Sequence, residues 1–497
     1  MKKYLLSLDQ GTTSSRAVIF DESGNPIAKS AREFTQYFPR DGWVEHDAEE
    51  IFETQLSTAR EVLATAGLTA ADIAAIGITN QRETTVLWEK ETGKPIAHAI
   101  VWQCRRTEAM CADLKARGLD SVIRKKTGLA PDPYFSATKI AWLLENVAGA
   151  AKMAAEGKLL FGTVDTWLIW KLTGGRVHAT DPSNAARTML YNIHTMSWDE
   201  ELLKLFNIPH TILPQVMDTI SVFGETRPEM LGAPIPIAGV AGDQQAALFG
   251  HACFAAGDVK NTYGTGGFLL MNTGDTPITS ENGLLTTVGW RINGNTTYVL
   301  EGSVFVSGAA IQWLRDGLGL LATARESEML AGSVPDSGGV YFVPAFVGLG
   351  TPYWEPNVRG TICGITRSTT RAHLVRAALD AIALQTVDVL DAMRRDTGLA
   401  VPALRVDGGA AANNLLLQLQ SNYAALPILR PHSIETTAWG AASMAGLSVG
   451  IFKDMTALTK LAGTALTFTP QMSDTACANI RAGWYRAVQS ARLFARE

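Results

Sequence analysis

Residues 6–16 read LSLDQGTTSSR: an apolar run ends in Asp9, Gly11 breaks it, and Thr12, Thr13, Ser14 and Ser15 follow before Arg16. Four hydroxyls and the backbone N–H groups of a tight bend are donors of the kind that wrap phosphate oxygens. Arg16 adds a planar cation, and Asp9 is placed to face a metal ion. The same stretch also makes an ordinary β-hairpin, with strands over residues 4–8 and 17–20 and Gly11 in the turn. A Walker-type loop is excluded because no G-x-x-x-x-G-K-[ST] spacing occurs there, and no G-x-G-x-x-G follows the strand.

Two more places carry chemistry. In NQRETT, Arg82 stands beside Glu83, five N–H donors next to an acceptor, a combination suited to the vicinal hydroxyls of a small polyol. The plainer reading of that pair is a surface ion pair. Asp243 in AGDQQ is a candidate general base, since a carboxylate within reach of an alcohol can take its proton as the bond to phosphorus forms; it also reads as a helix cap. Trp102 in AIVWQC and Phe268 in GTGGF are either core aromatics or the walls of a carbon-binding pocket.

The elements that must position these residues alternate in type along the chain, which predicts an α/β protein. DAEEIFETQLSTAREVLATAG is a helix, with Asp47 as cap, Glu50 closing a capping box and Gly67 ending it. IAAIGITN is a short buried strand. TRAHLVRAALDAIALQTVDVLDAMRRDTG is a long helix stopped by Gly398, ALRVDGG is a strand running into a glycine turn, and NNLLLQLQSNYAA resumes helically. Residues 257–275, GDVKNTYGTGGFLLMNTGD, repeat the order strand, Gly/Thr turn, apolar strand that residues 3–21 show. Two halves that each open on a hydroxyl-rich hairpin suggest related domains holding a nucleotide between them, with the boundary near Gly250.

Bulk properties narrow the class. A chain of 497 residues, 46% hydrophobic and 18% charged, suits several packed cores rather than a disordered polymer. The net charge of −5 offers no basic excess for nucleic acid. No run approaches the ~18 apolar residues of a membrane span, and the opening MKKYLLSLDQ stops at Asp9, too short for a signal-peptide core, so a cytoplasmic location is expected. Five scattered cysteines and eight dispersed histidines form no zinc or disulfide pattern.

Taken in order, LDQGTTSSRAVIFD, GITNQRETTVLWEKETGKPI, AIVWQCRRT, PYFSATKIAWLLEN, FGTVDTWLIWKLT, AGDQQAALFG, KNTYGTGGFL, GAAIQWLRD, PAFVGLGTPYWEPNVRGTICGIT and LRVDGGAAANN resemble the FGGY carbohydrate kinases, and within them the branch acting on glycerol. The resemblance thins only over the last roughly fifty residues. It implies a two-domain actin-like, ribonuclease-H-like ATPase fold with the active site in the interdomain cleft. Residues 1–250 would bind polyol and phosphate, and residues 251–497 the nucleotide.

The implied reaction is ATP plus glycerol to ADP plus sn-glycerol 3-phosphate, in glycerol uptake and catabolism, with Asp243 as base. By resemblance Thr12, Thr13, Ser14 and Arg16 hold ATP phosphates from one side, Thr265 and Gly266 from the other, and Asp9 positions Mg²⁺ through water. Arg82, Glu83, Tyr134 and Gln244 would bind glycerol, with Trp102 and Phe268 against its carbons. Gly308, Gln312, Gly409 and Asn413 would meet the adenosine.

Sugar kinases of the superfamily typically carry a Gln-Met-His type segment where this chain has Gln81-Arg82-Glu83, which favours glycerol over xylulose or gluconate. A homodimer or homotetramer is implied. ETRPEMLGAPIPIAG lacks the glycine-rich basic loop that binds a sugar bisphosphate inhibitor in several bacterial members, and the C-terminal segment gives no support for a phosphotransfer-system partner. A kinase for another small polyol shares most of these features, whereas an actin-like filament or chaperone ATPase has no use for Arg82-Glu83 or Trp102.

Overall fold

The computed structural model describes residues 3–433 and 435–495; Met1 and Lys2 of the opening stretch lie outside them. Tyr4–Gln10 (β1) and Ser14–Phe20 (β2) form an antiparallel hairpin around the Gly11 bend, and Pro26–Glu33 (β3) continues the meander. The hairpin runs further toward its bend than the apolar residues alone predict, because the register pairs Asp9 with Arg16 and Gln10 with Ser15.

Ala48–Ala66 (α1) begins at Asp47, whose side chain accepts from the Glu49 N–H, and ends at Gly67 with φ 66°. The expected capping box does not form. Glu50 Oε1 instead accepts from the Thr35 N–H at 3.0 Å and from the Thr35 hydroxyl at 2.9 Å, a two-donor site that ties the helix to the segment after β3.

Ile73–Asn80 (β4) pairs parallel with β1, and Pro236–Gly242 (β5) pairs parallel with β4 before running into Asp243–Gly250 (α2). The first sheet therefore has the order β5-β4-β1-β2-β3, with a two-residue edge segment Gly224–Glu225 beyond β5.

The second sheet repeats this plan. Val259–Tyr263 (β6) and Gly267–Gly274 (β7) form the hairpin, and Leu285–Ile292 (β8) and Asn295–Val304 (β9) extend it on the β7 side, followed by Gly308–Asp316 (α3). After the long helix Arg371–Thr397 (α4), Leu404–Asp407 (β10) joins β6 in parallel. Next come Asn414–Ala424 (α5), Ile428–Pro431 (β11, parallel to β10), Thr436–Ser448 (α6) and the antiparallel edge strand Thr464–Phe468 (β12). The order is β8-β9-β7-β6-β10-β11-β12, so β6, β7, β9, β10 and β11 correspond to β1, β2, β3, β4 and β5. The echo between residues 3–21 and 257–275 is thus the start of two sheets of one topology.

Helix α6, late in the chain, packs on β1, β4 and β5 and along α2. The fit is backbone against backbone: a Cβ on Gly77 would overlap the Ala441 carbonyl, and one on Gly440 would overlap the Ala246 carbonyl. One apolar cluster joins Leu5, Phe20 and Ala75 of the first sheet to Trp439, Ala442 and Met444 of α6 and to Leu270 and Trp290 of the second sheet. The two lobes therefore share one apolar core. Among the described residues no helix is long and apolar enough to cross a membrane.

Gly440→Ala forces α6 away from α2 and should lower unfolding free energy by about 1–3 kcal/mol, the usual cost of overpacking. Urea denaturation measures it. A loss below about 0.5 kcal/mol, the range of a neutral surface change, would show that the seam relaxes freely.

Candidate active site

Three neighbouring parallel strands deliver the chemistry at their carboxyl ends. The register aligns Gln10 of β1 and Gly242 of β5 with Asn80 of β4, so Asp9, the 81–83 segment and Asp243 emerge side by side. Ligands in open α/β sheets are expected at this edge.

Asp9 and Arg16 are cross-strand partners, and Arg16 Nη2 lies 2.5 Å from Asp9 Oδ2. Burial raises the Asp9 carboxyl above its ordinary value; Arg16 opposes this, while Asp243 and Glu435 add to it. The hydroxyl-bearing bend between the strands is held by backbone and amide contacts, with the Gly11 N–H donating to Ser14 O at 2.9 Å and Gln36 Nε2 to Thr12 O at 3.2 Å. Thr13 is exposed and Ser14 half-buried at the mouth.

Arg82 and Glu83 are no surface pair, since their side chains are 2% and 1% exposed. Arg82 donates to Glu301 (Nη1–Oε2 2.5 Å, Nη2–Oε1 3.2 Å), reaches the Tyr134 hydroxyl at 3.3 Å and lies 3.3 Å from Asp243 Oδ1 through Nε. Arg187 bonds Glu83 at 2.6 Å and Glu301 at 2.8 Å, closing a buried cluster of two cations and two anions. The direct Arg82–Glu83 approach is only 3.9 Å. Electrostatics follows that geometry. For Glu301 burial alone would raise the carboxyl, but Arg187 and Arg82 together overcome it and hold it at about 2. For Glu83, burial outweighs Arg187 and the more distant Arg82, and the carboxyl is raised.

Glu83 also sits in the left-handed region at φ 60°, with the Thr84 N–H donating back to Arg82 O at 2.7 Å. Such a three-residue turn on a non-glycine residue costs about 1–3 kcal/mol. It is held by Arg187 on the carboxylate and by the Ser136 and Thr85 hydroxyls, which donate to Glu83 O at 3.0 and 3.1 Å.

Asp243 opens α2. Gly242 is the cap, and Asp243 Oδ1 accepts from the adjacent Gln244 N–H at 2.7 Å. Gln244 Nε2 lies 3.3 Å from Asp243 Oδ2. The Asp243 side chain keeps 32% exposure, unlike the sealed charges behind it, and so faces the cleft. The Gln244 carbonyl oxygen accepts from Lys260, a wholly buried lysine of β6. Trp102 forms the opposite wall: its Nε1 donates to Thr12 Oγ1 at 3.0 Å, and its ring lies 5.6 Å from Tyr134 and 6.5 Å from Phe268. Phe268 follows the second bend, so one indole touches elements set by both hairpins.

The remaining candidates form a second group. Thr265 is exposed, and its carbonyl accepts from the Ser307 and Ala309 N–H groups at 2.9 and 3.1 Å, seating the bend on the start of α3. A Cβ at Gly266 would lie 2.6 Å from Val304 O, and one at Gly308 2.6 Å from Gly264 O, so neither position tolerates a side chain without moving the bend. Gly409 and Gln312 are exposed. Asn413 is engaged as the cap of α5, accepting from the Leu416 N–H at 2.9 Å, while its Nδ2 lies 3.3 Å from Ser327 Oγ.

Sequence reasoning missed Arg187, Glu301 and Lys260. In AARTML, VLEGSV and VKNTY each is a lone charge in an apolar or mixed run, and only a charge predicted inside a buried strand (Lys260, Glu301) could have marked one.

Two sheets of one topology, closing over a cleft lined by paired glycine–hydroxyl bends and a carboxylate, define an actin-like phosphotransferase. The FGGY family of carbohydrate kinases matches by its N-terminal domain over residues 4–250 and by its C-terminal domain over residues 259–449, and the chain belongs to that family. It is 57% identical to glycerol kinase 2 of Thermotoga maritima over 98% of both chains. It is also 57% identical to the glycerol kinase of Carboxydothermus hydrogenoformans, over 99% of this chain and 98% of that one. The crystal structure of Plasmodium falciparum glycerol kinase with ADP superposes with a TM-score of 0.92 at 36% identity, covering 98% of each chain.

Glu301→Gln leaves Arg82 and Arg187 with a single buried counter-charge between them and should destabilise the protein by about 3–5 kcal/mol. Because the folded carboxyl sits near 2 against an ordinary 4.5, it contributes stability above about 4.5 that is lost as pH falls toward 2. Urea unfolding at pH 7, 5 and 3 should therefore show a shallower acid decline in the variant than in the wild type. Parallel declines would remove Glu301 from the acid-labile groups.

Proposed function

We propose that this chain is an ATP-dependent glycerol kinase, transferring the γ-phosphoryl group of ATP to a terminal hydroxyl of glycerol to give sn-glycerol 3-phosphate. The observation that carries the reading is the placement of Asp243, a partly exposed carboxylate 3.3 Å from a guanidinium that is itself locked by Glu301 and flanked by Tyr134. Those groups present one acceptor and several donors within the span of a three-carbon polyol, and Trp102 and Phe268 supply the apolar wall its CH groups need.

Phosphoryl transfer asks the protein for positioning and charge rather than covalent work. Arg82 and Tyr134 hold vicinal hydroxyls, and Asp243 accepts the proton of the attacking hydroxyl as its oxygen approaches phosphorus. Thr12, Thr13 and Ser14 on one bend and Thr265 with Gly266 on the other hold the phosphates, and Arg16 meets their charge. Gly308, Gln312 and Gly409 border the nucleoside, with Asn413 shaping the floor by capping α5.

The residues fit Mg²⁺ delivered with the nucleotide. Asp9 and Asp243 lie close enough to raise the Asp9 carboxyl, and no group of three His, Cys, Asp or Glu able to hold a metal occurs among the described residues, so phosphate oxygens and water complete any shell. When bound, Mg²⁺ supplies charge neutralisation at the transferring group. Closure of the two lobes, residues 1–250 and 251–497, brings the bends together and excludes water that would otherwise hydrolyse ATP. The reaction belongs in the cytoplasm, where ATP is available.

ADP release measured against a panel of three- to five-carbon polyols should rank glycerol among the best acceptors; a clear preference for another polyol rejects the substrate assignment. In Asp243→Asn the turnover number should fall by about 10²-fold or more, with ATP affinity nearly unchanged. Retained turnover would assign proton removal to another group.

A further inference from the structure

The amide of Gln244 faces two ways: its nitrogen toward Asp243 Oδ2 at 3.3 Å, its oxygen toward the ammonium of Lys260. An amide so placed has a mirror-image alternative, the flipped rotamer, which would turn its oxygen onto the carboxylate. A carboxylate oxygen accepts and cannot donate, so the flip replaces a hydrogen bond with a repulsion. Lys260 decides between the two, because an ammonium is a donor only and must face the amide oxygen.

Lys260 is itself fixed. It lies on β6 with 0% exposure, and its Nζ donates to Thr262 Oγ1 at 2.8 Å, to Phe268 O at 3.3 Å and to Gln244 Oε1, three acceptors for three N–H bonds. Thr262 and Phe268 are cross-strand partners flanking the second glycine–threonine bend. Gln244 lies on α2, at the end of the first sheet.

We propose that Lys260 is a positioning residue for phosphoryl transfer: it locks the Gln244 amide, and through it the Asp243 carboxylate, in register with the second phosphate-holding bend. The proposal rests on the kinase reading above. It gives one side chain the task of keeping base and phosphate site, which belong to different sheets, at a constant separation. An error of about 1 Å in such a spacing can cost about 10²-fold in rate.

The lock has a pH signature. Burial lowers the Lys260 ammonium to about 8; Asp407 and Asp243 work against that shift, Arg82 with it, and Glu301 against it. Asp407 is in turn bonded by His251 at 2.9 Å and by the Thr436 hydroxyl. A neutral amine has two N–H bonds for three acceptors, so the hold on Gln244 weakens above that pH. The ammonium form, and with it full turnover, prevails below.

Steady-state kinetics with ATP and glycerol from pH 6 to 9.5 test this on wild type, Lys260→Met, Gln244→Ala and the double variant. The wild type should lose turnover on an alkaline limb near pH 8. Lys260→Met should turn over about 10-fold more slowly at pH 7, lack that limb, and bind ADP within about threefold of wild type by calorimetry. If Lys260 acts through the amide, adding Lys260→Met to Gln244→Ala costs nothing further, and Gln244→Ala alone already lacks the limb.

Turnover of Lys260→Met within twofold of wild type, or losses that multiply in the double variant, would overturn the proposal while leaving the kinase reading intact. A wild type that does not phosphorylate glycerol would overturn both. Should Lys260→Met fail to bind ADP or to melt cooperatively, Gln244→Ala decides: loss of its alkaline limb supports the lock, and an unchanged limb rejects it.

Discussion

Four charges buried in contact, Arg82, Glu83, Arg187 and Glu301, are the interaction on which the site depends. Taking such groups out of water costs several kcal/mol each, and only mutual contact with full hydrogen bonding recovers it. The cluster is therefore nearly all-or-none. Arg82 cannot swing toward solvent without leaving Glu301 to Arg187 alone, and Glu83 cannot leave its strained turn without leaving Arg187 to Glu301 alone. Since Glu301 comes from β9 of the second sheet and the other three from segments around the first, the same charges that orient Arg82 also fasten one lobe to the other at the back of the cleft.

That fastening places the charges around Arg82 at the packed base of the cleft. The base of the cleft is set by close backbone contact of α2 with α6 and by the apolar cluster shared by both sheets. Gly77 and Gly440 leave no room for a side chain, so these backbones pack in direct contact. The bends at residues 11–13 and 264–266 lie beyond these contacts, on hairpin tips, and the first is braced by side chains of its own lobe. Asp243 and Arg82 sit with the packed base, and on the proposed reading the phosphates lie at the two bends.

What the sequence revealed follows the range of the interactions. The hairpins, the strand at residues 73–80 and the helix ends at Gly67 and Gly398 were legible because each is decided within a few residues by turn chemistry and periodicity. The Asp9–Arg16 ion pair across seven positions is not drawn from the sequence, where Asp9 reads toward a metal and Arg16 toward phosphate. The Glu50 box failed for want of one fact outside its window, the arrival of Thr35 with two donors. Arg82 and Glu83 were singled out, but their burial and their counter-charges, 219 and 104 positions away, were not legible. No local pattern encodes such a pairing. Lys260 was hidden for the same reason, a lone cation in a strand whose acceptors only the fold assembles.

The charge distribution constrains how a nucleotide can enter on the proposed reading. Around the first bend the carboxylates of Asp243 and Glu435 act on Asp9, Arg16 opposes them, and Lys29 is paired with Glu435 at 3.2 Å. Lys260 and Arg187 are enclosed by protein acceptors, and Arg82 turns Nη1 and Nη2 to Glu301 while its Nε faces Asp243. A bare triphosphate, carrying about four negative charges, would meet more carboxylate than cation at this mouth. Coulomb repulsion at short range in a partly dry cleft is too large for hydroxyl and N–H contacts to offset alone. On the proposed reading the favourable entrant would be a nucleotide already complexed with a divalent cation, to which the acids would be water-mediated partners. On that reading the acids around the bend favour the metal-complexed form over the bare one.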